Sequence, residues 1–117
     1  MSFEKLRVVV KDFVRARDWE QFHTPKNLVM ALAGEAGELI ELFQWLTADE
    51  SGRLMQDPAK AEAVRDELAD VFVYCLRLAD VLGIDLEAAV LAKMAKNAAK
   101  YPVERSKGSA AKYTDLK

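Results

Sequence analysis

Apolar residues recur at intervals of three and four along most of the chain, the period of a helix face, and predict an all-α protein. Phe3, Leu6, Val10 and Phe13 trace a buried stripe on a first helix over about residues 2–17. Residues 18–23 form a connector rich in aromatics. A second helix begins where Thr24 can cap free amides and Pro25 has no amide to leave unpaired, and it extends to about Leu46. Its seam is Leu28, Leu32, Leu39, Leu42 and Leu46, and the place between Leu32 and Leu39 is filled by Glu35. A carboxylate therefore occupies a row otherwise suited to the core.

Residues 47–56, with Ser51-Gly52, read as a polar connector, and Asp57-Pro58 repeats the cap-then-proline start signal. The third helix ends near Leu82, ahead of Gly83, with a seam of Val64, Leu68, Val71, Cys75, Leu78 and Leu82. Glu67, Asp70, Tyr74 and Arg77 line up beside that seam. A fourth helix runs from an Asp85 cap through Leu86, Ala89, Val90 and Met94 to about Lys100, where Tyr101-Pro102 stops it. The pattern predicts one helical-bundle domain over residues 1–102 and a polar tail over 103–117, disordered or ordered only against a partner or ligand.

Composition narrows the function classes. The formal net charge of -2, with both signs intermixed, lacks the positive surface that polymeric nucleic acid demands. No apolar run is long enough for a membrane span, and the first five residues lack the features of a signal peptide. Cys75 is the lone cysteine, so no internal disulfide framework exists and a reduced, cytoplasmic setting is expected.

Residues three apart on a helix share a face, so Glu35 and Glu38 project together, as do Glu67 and Asp70. The connector between their helices is short enough to make them antiparallel neighbours, which would gather four carboxylates beside an apolar interface. Like charges placed there cost several kcal/mol per ion unless protons or a cation compensate them. An oxygen-only set favours a hard cation, Mg2+ or Mn2+, over zinc, and magnesium usually binds substrate phosphates. Gly34 and Gly37, interleaved with the acids at a cost of up to about 1 kcal/mol each in helix propensity, suggest close approach by another backbone or a ligand.

The run from Arg17-Asp18-Trp19 to His23, Gly34-Glu35-Ala36-Gly37-Glu38-Leu39, Phe43-Gln44-Trp45, Asp66-Glu67-Leu68-Ala69-Asp70-Val71, Lys93-Met94-Ala95-Lys96-Asn97 and Tyr101-Pro102 together resemble the MazG-like all-α NTP pyrophosphatases, most of all those of the dCTP-hydrolysing type. The resemblance spans nearly the whole chain up to the tail. It implies cleavage between the α and β phosphates of a nucleoside triphosphate, with Mg2+ held at Glu35, Glu38, Glu67 and Asp70. It also implies a homo-oligomer, commonly a tetramer, and substrate contacts from Trp19, His23, Trp45, Tyr74, Lys93 and Asn97. One departure is Gly34, where many relatives carry a further Glu.

Attack on a polyphosphate needs charge neutralisation and an activated water, and Glu35 or Glu38 is the candidate to orient or deprotonate that water. Trp19 and Trp45 suit stacking on a nucleobase or packing in the bundle. Two other functions fit the sequence: a broad-specificity NTP/dNTP pyrophosphohydrolase, and a non-catalytic helical oligomerisation module with solvated acids.

Overall fold

The computed structural model describes residues 3–116, among which every regular element is helical. Two compact units meet at the Ile84–Asp85 junction and are described separately. The predicted start of the first helix at Ser2 and the last tail residue, Lys117, lie outside the described residues.

In the first unit, α1 spans Phe3–Ala16, α2 Pro25–Glu41, α3 Ala48–Gly52 and α4 Pro58–Leu82. The start signals hold. Thr24 accepts a hydrogen bond from the Asn27 amide, and the Asp57 carboxylate accepts from the amides of Ala59 and Lys60. α2 packs most extensively on α4, and α1 also packs on α4. His23, just ahead of α2, reaches Arg77 late in α4, whereas Leu42, just past α2, shares a cleft with Lys60 early in α4. The two long helices are therefore antiparallel, as the short connector predicted.

Three expectations about this unit are corrected. First, α2 stops at Glu41 rather than near Leu46. Its last turn tightens as the Leu42 and Phe43 amides bond to carbonyls three residues back, which leaves Trp45 and Leu46 outside the helix. Second, the connector is structured: Thr47 and Glu50 form a reciprocal capping box that starts α3, and a 3-10 turn at Leu54–Gln56 buries Leu54. Third, the buried faces are displaced from the predicted seams. Phe13 is 48% exposed and Val14 takes its buried place; on α4, Leu68 is 56% exposed while Ala61, Leu76, Arg77 and Ala79 are buried. The cause is α1, which covers a second face of α4 through the edge-on Phe3–Phe72 ring pair at 5.5 Å and the Arg7–Asp80 ion pair at 2.7 Å.

Gly83 ends α4 with φ of 68°, the left-handed conformation in which a side chain crowds the backbone. No other atom would touch an added Cβ, so Gly83→Ala is expected to cost about 1 kcal/mol through backbone strain alone, measurable as a lower urea midpoint with an unchanged slope.

In the second unit, α5 spans Leu86–Lys100, capped by the Asp85 carboxylate on the Ala88 amide, and α6 spans Val103–Ser106. The tail expectation is also corrected, since the segment holds α6 and a 3-10 turn at Tyr113–Asp115. The Tyr113 ring meets the Tyr101 edge at 6.1 Å and lies 4.9 Å from the Lys100 ammonium. One aromatic contact and one cation–π contact thus fasten a segment whose composition alone looked unable to order.

Candidate active site

The antiparallel pairing brings Glu35 and Glu38 of α2 against Glu67 of α4, with one carboxylate oxygen of each within 4.8 Å of the others. Asp70 stands outside this tight trio. It remains close enough that its charge helps raise the pKa of both Glu35 and Glu67, and it shares a cleft with Glu35. Of the four acids expected to converge, three form the centre and the fourth flanks it.

The electrostatics are those of acids held together without a counter-charge. Glu67 is pushed up to about 7, first through its hydrogen bond with Glu38, then through burial and the charges of Glu38, Glu35 and Asp70. Burial is the leading cause of the upward shift at Glu35, followed by Glu38. The Oε2 atoms of Glu35 and Glu67 are closed off from solvent with no hydrogen-bond partner. Buried acceptors are ordinarily satisfied, so two orphaned oxygens among three acids are an arrangement that a cation would complete. The donor set is all oxygen, and it fits a hard divalent ion.

A cleft of about 220 Å³ opens beside the acids, lined by Val10, Phe13, Val14, Trp19, His23, Glu35, Asp70, Val73, Tyr74 and Arg77. Its aromatic wall starts from a strained turn. Asp18 adopts φ of 53°, steadied by Gln21, whose amide donates to the Asp18 carbonyl at 2.9 Å. The chain then turns so that Trp19 meets the Phe13 ring edge-on at 5.8 Å. The cleft therefore combines an acidic end with a flat apolar wall, suited to a ligand that joins an anionic, cation-binding part to a planar ring.

Trp19, His23 and Tyr74 are brought to the cleft as the sequence implied. Trp45 is not among the lining residues and stands 86% exposed beyond the end of α2. Lys93 and Asn97 lie on α5, in the second unit, where the Asn97 amide faces the Met94 sulfur at 3.9 Å. Five cleft residues were missed as site residues: Val10 and Phe13, assigned to the core stripe of the first helix, Val14, Val73, and Arg77, whose spacing of three from Tyr74 and seven from Asp70 was the available signal. Within the described chain, neither Gly34 nor Gly37 is approached closely, because a Cβ at either would meet nothing within 4 Å. Close approach by another backbone of this chain is thus not the reason for those glycines.

The profile of the MazG-like family matches residues 31–116, which include α2 from Ala31 onward, the three acids and the tail as far as Leu116. The chain belongs to the MazG-like family. Among MazG-like relatives, dCTP pyrophosphatase 1 from Bos taurus is 48% identical over 98% of this chain and 68% of its own length. The Homo sapiens dCTP pyrophosphatase 1 is 45% identical over the same shares. A crystal structure of a pyrophosphatase from Archaeoglobus fulgidus superposes with a TM-score of 0.78 at 40% identity, covering 85% of this chain and 91% of the other. Among the described residues, no helix of this MazG-like chain is long and apolar enough to cross a membrane.

Proposed function

We propose that the protein is a Mg2+-dependent nucleoside triphosphate pyrophosphohydrolase that cleaves dCTP, or a 5-modified dCTP, to the monophosphate and pyrophosphate. The observation that carries this reading is the trio of Glu35, Glu38 and Glu67 beside an aromatic cleft, in a chain 48% identical to a dCTP pyrophosphatase.

Glu35, Glu38 and Glu67, with Asp70 at the flank, are the residues to hold Mg2+, for which Mn2+ is a substitute. Such an ion, when bound, supplies neutralisation of phosphate charge and lowers the pKa of a water. The chain's own groups do the rest. Glu38 or Glu35 orients the attacking water and accepts its proton as the bond between the α and β phosphates breaks. Trp19 and Tyr74 flank the base, and His23 faces the ligand from the same wall. To Trp45, Lys93 and Asn97 we assign the substrate contacts implied by their motif positions.

We further propose a homotetramer. The apolar surface left exposed by a single chain, including Trp45, Leu68, Leu91 and Met94, is the area that association would cover. A cytoplasmic setting is consistent with the free thiol of Cys75.

Product analysis tests the reaction. The purified protein with dCTP and Mg2+ is expected to give dCMP and pyrophosphate in equal amounts, whereas dCDP and orthophosphate would refute the assignment. Across a panel of canonical and 5-modified triphosphates, equal turnover of purines and pyrimidines would replace the dCTP preference by a broad specificity.

A further inference from the structure

Arg77 is a charged side chain with only 4% of its surface exposed, deeper than any other charged residue described. A cation so placed costs several kcal/mol unless its donors are matched. One edge is matched by Asp80, whose Oδ2 accepts from Arg77 Nη1 at 3.2 Å while its Oδ1 accepts from Arg7 Nη1 at 2.7 Å. The remaining contact is unusual: Arg77 Nε donates to His23 Nδ1 at 3.2 Å. A guanidinium has donors and no acceptor, so Nδ1 must be the unprotonated nitrogen of the ring, and the ring's proton must sit on Nε2. An imidazolium has no lone pair with which to accept this bond.

We propose that Arg77 is a positioning residue that fixes His23 as the neutral Nε2–H tautomer, so that the cleft offers a neutral N–H donor to an uncharged acceptor on the ligand, such as a carbonyl oxygen of its base, rather than a cation to its phosphates. The ligand's identity rests on the nucleotide reading above; the tautomer belongs to the free protein. Burial and the Arg77 charge both hold His23 below its ordinary pKa, opposed by Glu20 from the preceding turn. Glu35 of α2 and Asp70 of α4 are the acids lining the same cleft. Asp80, clamped between Arg7 of α1 and Arg77, keeps the guanidinium edge aimed at the ring.

The chain contains one histidine, so labelling histidine with 15N gives a single ring to observe in the full-length, metal-free protein. Long-range proton–nitrogen correlation near neutral pH is expected to show Nδ1 unprotonated and Nε2 protonated. An Nδ1–H tautomer or an imidazolium in the wild-type protein would overturn the proposal, and this arm requires no variant to fold. In Arg77→Met the two tautomers are expected to mix and protonation of the ring to move to higher pH. Calorimetry with two probes reads the consequence: dCMP affinity falls about 3- to 10-fold, the scale of one neutral hydrogen bond, while pyrophosphate affinity is unchanged. Equal loss for both probes, or no loss for dCMP, would overturn the ligand-facing half. Failure of the wild-type protein to bind dCMP would sink the nucleotide reading and that half with it, leaving the tautomer to be judged by its spectrum.

Discussion

Replacing Glu67 by Gln is expected to lower pyrophosphate release by at least about 10³-fold while leaving the helical circular dichroism intact and raising the melting temperature of the metal-free protein. The two effects have one cause. Glu67 meets Glu35 and Glu38 within 4.8 Å, and their charges, with that of Asp70, all oppose its ionisation. An amide of the same shape removes one of the like charges, and its NH2 group gives a neighbouring carboxylate a donor. The folded protein gains stability for the reason that the site loses its function. A divalent ion held by carboxylates contributes several kcal/mol to transition-state charge stabilisation, and each 1.36 kcal/mol is tenfold in rate, which sets the scale of the loss. Glu38→Gln is expected to behave alike in rate. Retained turnover in either variant, with magnesium binding unchanged by calorimetry, would remove the trio from the mechanism.

Without metal, the wild-type protein is expected to lose thermal stability between about pH 4.5 and pH 7, and Mg2+ is expected to restore it increasingly as pH rises. Glu67 titrates near 4.5 in an unfolded chain and is pushed up to about 7 in the folded one. Between these values the folded state holds the proton more often than the unfolded state does, so stability falls with rising pH. Glu35, also shifted upward, acts in the same direction. His23 acts in the opposite one, because a folded-state pKa below its usual 6.5 makes the unfolded chain the better proton binder and stability rise with pH. Glu4 and Glu50, both shifted downward, add stability that is lost only as pH falls below the ordinary carboxylate range. The informative quantity is therefore the difference between wild type and Glu67→Gln, whose melting curve is expected to descend less over the window. Because the ion competes with the proton on Glu67, its stabilising effect grows with pH. Parallel melting profiles for the two proteins across the window, or a magnesium effect independent of pH, would contradict this account.

How much of the site was legible in the sequence varies residue by residue. Glu35 stood out because a charge interrupted a leucine seam, and its neighbour Glu38 and the α4 acid Glu67 followed from spacing. Asp70 did not follow so simply. Spacing of three places Glu67 and Asp70 on one face, but only Glu67 joins the α2 pair within 4.8 Å, while Asp70 lines the cleft beside Glu35. The Thr47 capping box was written in the sequence as Thr-x-x-Glu, and in the structure it starts α3 where a plain connector was expected. The family resemblance named Trp19, His23 and Tyr74, and the cleft assembles them; the resemblance alone gave no hint of what Arg77 does to His23.

The sequence by itself determined that the chain is helical, where α2, α4 and α5 begin, and where Gly83 ends α4, because caps, prolines and a left-handed glycine act through bonds to backbone a few residues away. It also pointed to Glu35, Glu38 and Glu67 as acids that would converge. Only the tertiary structure decided which face of α4 is buried, since that depends on α1 covering a second side of it. The tertiary structure alone also joined His23 to Arg77 across 54 residues of chain. A hydrogen bond between distant side chains is set by how helices cross, and no local periodicity encodes that crossing.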